Sequence, residues 1–122
     1  MRAAGALVAA VVLVTTGCGG EGLSTRPERP YVVTAIDYHF HDAHPSRPIP
    51  LDRALEFSNQ GRNVHSVTIP GTDVDRNIRP GERVTFEPIG SLFEEPGRYP
   101  FYCRFHRDRA MSGTLVVAPA RD

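Results

Sequence analysis

From Tyr31 onward the apolar residues fall in short runs of β-formers broken by Gly, Pro, Asn and Asp, and no stretch keeps a helical apolar period over three turns. The clearest runs are Tyr31–Tyr38, Ala54–Ser58, Val64–Ile69, Arg83–Glu87, Gly97–Cys103 and Gly113–Ala118. Val64, Val67 and Ile69 are the apolar positions of the third run. Val84 and Phe86 alternate in the fourth, the period of a strand with one buried face. Asn59-Gln60-Gly61, Ile69-Pro70-Gly71, Arg79-Pro80-Gly81 and Glu95-Pro96-Gly97 are turn signals, with Gly supplying positive φ and Pro fixing its own. The pattern predicts an all-β protein, six to eight short strands in an antiparallel β-sandwich. It leaves Ile69–Pro80 as a loop of irregular or weakly helical character and Ser91–Glu95 as another, and it contains no internal repeat.

Before Tyr31 the pattern changes. Met1-Arg2 is a positive start, Ala3–Val14 is apolar but short for a membrane span, and Thr15-Thr16-Gly17-Cys18 offers small residues at a cleavage point. This resembles a bacterial lipoprotein signal with Cys18 as the lipidated residue. Thr15, three before the Cys, stands where Leu is usual, and the alternative is an ordinary secretory peptide cut nearby. Residues 19 to 30 are rich in Gly and Pro and read as a tether. The expected organisation is therefore a signal over 1–17, a flexible tether over 18–30 and one domain over 31–122. That domain is expected to be monomeric and anchored through Cys18 to the outer face of the cytoplasmic membrane, or otherwise periplasmic or secreted.

Charge narrows the partners. The 122 residues carry 14 Arg, no Lys and 14 carboxylates, a formal net charge of zero. Loss of residues 1–17 removes Arg2 alone, leaving 13 against 14, a balance of −1. With no basic field over the domain, nucleic acid is not an expected partner.

The chemistry concentrates in Phe101–Gly113, which holds Cys103, His106 and Met111 as Cys-x₂-His-x₄-Met. Soft sulfur selects Cu(I), imidazole suits Cu(II), and a His₂Cys set with a weak axial Met belongs to blue-copper electron-transfer sites. The second imidazole must come from elsewhere, and His65 lies upstream on a separate run. Export bears on the thiol: if Cys18 carries lipid, Cys103 has no partner for an intramolecular disulfide, and a metal would occupy it. Taken singly, a buried Cys or Met is ordinary core and a His an ordinary surface residue. Their combination at this spacing favours a metal.

A second group, His39, His41 and His44, has two readings. On a strand His39 and His41 would share a face and could bind a metal as a pair, whereas in a solvated loop before Pro45 they would bind nothing. The His-x-His pattern is similar to that of multicopper oxidases, but a multinuclear centre needs more imidazoles than the five in this chain.

The succession Asn59, His65, Pro80-Gly81, Gly97-x-Tyr99, Tyr102-Cys103, His106, Met111 and Gly113 resembles the cupredoxin family of small blue copper proteins. The loop spacing is similar to that of plastocyanin and pseudoazurin. The resemblance runs over about residues 31–118. It implies a Greek-key β-sandwich holding one Cu(I)/Cu(II) ion, with His65, Cys103 and His106 as equatorial ligands and Met111 as the axial one. It also implies that His106 lies nearer the surface than His65. Ser66 stands where many relatives have Asn, and it can still bond across to the Cys loop. Arg104, Arg107 and Arg109 read either as a positive rim that steers redox partners or as solvated loop charges. The expected role is one-electron transfer between redox proteins rather than enzymatic turnover, with copper storage or delivery as the rival and a metal-free sandwich as a third reading.

Overall fold

The computed structural model describes residues 28–43 and 47–122. The signal segment, Cys18, most of the tether and His44 lie outside the described residues. Of the tether, residues 28–30 are described, and they are tied to the domain: Glu28 pairs with Arg121 and Arg53, and the Arg29 carbonyl accepts from Arg53.

Among the described residues there are nine strands, β1 (Tyr31–Ile36), β2 (His39–His41), β3 (Ile49–Pro50), β4 (Leu55–Asn59), β5 (His65–Thr68), β6 (Asp75–Ile78), β7 (Arg83–Phe86), β8 (Gly97–Tyr102) and β9 (Ser112–Ala118). They form two sheets, ordered β2-β1-β4-β7 and β3-β9-β8-β5-β6. The sandwich is as the pattern predicts, but its sheets are mixed, because β1 runs parallel to β4 and β3 parallel to β9. The chain leaves the first sheet through β3 and returns to it at β4, so β4 arrives beside β1 pointing the same way.

Alternation decides what the sheets bury. In β9 Gly113, Leu115 and Val117 face inward while the residues between them are half-buried or exposed. Phe40, Phe57 and Phe101 meet edge to face, with centroids 4.9 Å apart for Phe40–Phe101 and 5.2 Å for Phe57–Phe101. Two Pro-Gly turns have the residues they require: Gly71 and Gly81 sit at φ of 80° and 84°, and Glu82 N–H closes the second on the Arg79 carbonyl at 2.9 Å.

The expected loop Ile69–Pro80 is corrected at its C-terminal half, where β6 pairs with β5 from Thr68↔Asp75 to His65↔Ile78. Its Asp75, Arg76 and Asn77 are exposed and only Ile78 is buried. An edge strand with so little apolar surface carries no period for sequence to display.

Gly113 has a packing reason to lack a side chain, since a Cβ there would lie 2.5 Å from Ala43 Cβ and 2.6 Å from Phe101 Cζ. Gly113→Ala is expected to destabilise the fold by about 1–3 kcal/mol through overpacking. Denaturant unfolding with an unchanged m-value checks this, and wild-type stability would mean that the aromatic cluster yields.

Candidate metal centre

The site forms where β5 and β8 lie side by side in one sheet. Thr68 pairs antiparallel with Tyr102, and continuing that register brings Cys103 and Arg104 alongside Val67 and Ser66. The chain then turns through a 3₁₀ segment, Arg104–Arg109, which lays His106 back over the start of β5. The loop is closed by its own backbone: Cys103 N–H donates to the Met111 carbonyl at 2.9 Å, and Met111 N–H donates to the His106 carbonyl at 3.2 Å. Ala110 takes the left-handed conformation at φ 53° to end the turn.

His65, Cys103 and His106, all expected from the sequence, converge. Their donor atoms form a triangle with edges of 3.3 Å between the two Nδ1 atoms, 3.5 Å from Cys103 Sγ to His106 Nδ1, and 3.9 Å from Cys103 Sγ to His65 Nδ1. A single point in its plane lies about 2.1 Å from all three corners, close to the bond lengths of about 2.0–2.1 Å for nitrogen and about 2.3 Å for sulfur known from zinc sites. The arrangement fits one ion, and the trigonal N₂S donor set is of the kind that copper takes. His65, Cys103 and His106 could thus hold one copper ion.

The electrostatics at His65 favour a neutral imidazole. Burial holds the His65 imidazole below its ordinary pKa, the neighbouring His106 adds to that, and Asp37 works against both. Metal ligation needs the neutral ring, so the shift is in the useful direction. Met111, the fourth expected residue, is fully buried at the far end of the same loop.

Around the donors are groups that fix them. Ser66 N–H donates to Cys103 Sγ at 3.3 Å. Ser66 Oγ accepts from Arg104 N–H at 2.8 Å, so the serine after His65 does tie the His65 and Cys103 segments together. The chain of contacts continues through Thr68 Oγ1 at 3.2 Å and on to Asp75 at 2.8 Å, where the Arg104 guanidinium completes a ring. Of the two readings of Arg104, Arg107 and Arg109, a positive rim or solvated loop charges, this takes Arg104 out of the rim. Arg104 is paired with Asp75 and lies over Phe105, while Arg107 and Arg109 stack on Tyr102 and Tyr38 at 4.2 and 4.0 Å.

Asp37 and Tyr38 are site neighbours that sequence reasoning missed. Asp37 Oδ1 accepts from Arg62 N–H, Asn63 N–H and Asn63 Nδ2, and faces His65 Nε2 at 3.6 Å. That separation is too long for a hydrogen bond, and His65 Nε2 is otherwise a buried nitrogen without a partner. A Cβ on Gly61 would stand 2.6 Å from Asp37 Oδ1 and 3.1 Å from His65 Nε2, so glycine there is what lets carboxylate and imidazole approach. Tyr38, at φ 75°, sets its ring edge-on to His106 with centroids 5.1 Å apart. Both residues lie in the β1–β2 turn, far from His65 and His106 in sequence, and no local motif marks them.

Comparison with known proteins agrees with this architecture. The family described as a cupredoxin-like domain matches residues 7–117. Among solved structures, a purple cupredoxin from Nitrosopumilus maritimus is 18% identical with a TM-score of 0.56, over 72% of this chain and 99% of that one. An amicyanin variant in its reduced Cu(I) form is 16% identical with a TM-score of 0.60, over 78% and 88%. A copper-containing nitrite reductase from Thermus scotoductus is 20% identical with a TM-score of 0.59 over 74% of this chain, which spans only 22% of that enzyme. At these identities the likeness to solved structures is one of fold.

The outer carboxylate yields a prediction. Asp37→Asn, which keeps an acceptor for the Arg62 and Asn63 amides but loses the charge facing His65, should weaken copper binding about tenfold. Asp37→Ala should approach about 100-fold. Competition against a chelator, with circular dichroism to verify the fold, measures this; undiminished affinity in both variants would remove Asp37 from the site.

Proposed function

The chain belongs to the cupredoxin-like domain family, and on that premise we propose that it is a mononuclear type 1 copper protein that carries single electrons between redox proteins outside the cytoplasmic membrane. The observation that carries this reading is the unequal burial of the N₂S cluster. His65 and Cys103 are 0% exposed, while His106 is only partly covered. Copper bound there would supply a one-electron couple together with an intense thiolate-to-metal charge-transfer band.

The protein's own residues account for the rest. Adjacent strands of one sheet and a loop closed on itself hold the three donors in place, which keeps rearrangement small as charge is gained or lost. The Ser66 amide stabilises negative charge on Cys103 Sγ. Met111, buried in the same loop, would offer the copper a further, weaker sulfur donor. His106 is the electron port, since it reaches the surface and His65 does not.

The surface around that port suits brief contacts. Tyr38, Val64 and Phe105 are the exposed large apolar residues among those described, and each touches or adjoins a ligand histidine. Such a patch is enough for a small, transient redox encounter. Arg107 and Arg109, which have no ion-pair partner among the described residues, favour an acidic partner face. Substrate turnover is not part of the proposal.

Export rests on the pattern of the first 18 residues, with Cys18 as the lipid anchor. No helix among the described residues is long and apolar enough to cross a membrane.

Copper-loaded protein is expected to be intensely blue and to survive repeated reduction and reoxidation without losing metal. Cys103→Ala should abolish the blue band, and Met111→Leu should retain copper and colour while shifting the reduction potential. A colourless Cu(II) form would defeat the type 1 assignment. Copper release on each reduction would favour delivery over electron transfer.

A further inference from the structure

We propose that His39 and His41 form a second metal site, a surface chelate for a divalent cation of tetragonal preference such as Cu(II), separate from the His65–Cys103–His106 cluster. The two residues occupy alternate positions of β2, so their side chains leave the same face of the strand. Phe40 between them points the other way, is 7% exposed, and is pinned edge-on against Phe101 at 4.9 Å and Phe57 at 6.4 Å. Strand β2 is held on one side by β1 through Ile36↔His39 and Thr34↔His41, and is an edge strand on the other. The backbone beneath the two imidazoles is thus fixed by the core, while the rings themselves are exposed.

The rings converge. His39 Nε2 and His41 Nε2 are 2.8 Å apart, with centroids at 4.3 Å and planes at 71°. Among the described residues neither imidazole has another hydrogen-bond partner. If each nitrogen bonded one ion at about 2.0–2.1 Å, a 2.8 Å separation would set the angle at the ion to about 85–90°, whereas a tetrahedral ion would need about 3.3–3.4 Å. A near-right angle between two imidazoles matches the square-planar or tetragonal positions of Cu(II) or Ni(II). Water fills the remaining positions. Without an ion, the same contact is a single N–H···N hydrogen bond in full competition with solvent, which holds the rings together only weakly.

The experiment begins with protein already carrying its first equivalent of copper and adds Cu(II), followed by calorimetry and electron paramagnetic resonance. One further equivalent is expected, with a tetragonal signal and no new blue absorption. His39→Ala and His41→Ala should each weaken its binding at least tenfold and leave the blue band unchanged, and the double variant should lose it. The proposal is overturned if no second equivalent binds, or if it binds the double variant as well as it binds the wild type, which would point to His44 or another group. Because the readout is the tetragonal signal, failure here is distinguishable from failure of the electron-carrier reading, which the blue band reports.

Discussion

Placing a thiol and an imidazole side by side without solvent, one just past the end of β8 and the other on the adjacent strand β5, is the constraint on which this molecule depends. Cys103 and His65 are both fully buried, and a buried polar atom without a partner costs free energy. The fold meets that cost from two sides. On the sheet side, Ser66 offers its N–H to the sulfur and its hydroxyl to the next residue of the ligand loop. Thr68, Asp75 and Arg104 extend this into a closed ring of contacts, so the loop cannot lift without breaking several bonds together.

On the opposite side the arrangement is electrostatic. Asn59 donates to the Asn63 and Ile78 carbonyls and accepts from Gly61 N–H, which fixes the segment that leads into His65. Asp37 is then held by three donors opposite the buried His65 Nε2, with Gly61 leaving the space. The front of the site is treated differently: Tyr38 leans on His106 and Arg109 lies over Tyr38. One histidine is therefore enclosed and braced, and the other is presented through an aromatic edge. That asymmetry between two chemically identical side chains is what the proposed electron-carrier role would draw on.

Much of the sandwich was legible because its strands obey period two, as in β9, and because Pro-Gly turns announce themselves. Strand β6 was not, since Asp75-Arg76-Asn77 has no apolar face and is a strand only because β5 offers it an unpaired edge. The parallel pairing of β1 with β4 was equally hidden, being a property of how the chain crosses between sheets. The ligand loop was readable because Cys103, His106 and Met111 are neighbours in sequence. His65 was reachable through its place in a family-like succession, but Asp37, which faces it in space, had no such marker.

The sequence by itself determined the β class, the donor chemistry of the Cys103–Met111 loop and the candidate remote imidazole, because residue type and short-range spacing dictate strand period, turn geometry and metal softness. Only the tertiary structure decided the remainder. It set three donor atoms at corners within 3.9 Å of one another, neutralised Arg104 with Asp75 in place of a rim of three free arginines, and converged the rings of His39 and His41. These are distances between side chains on different strands or on a strand whose core contacts aim them. They follow from sheet register and the packing of the faces beneath, which residue order alone does not contain.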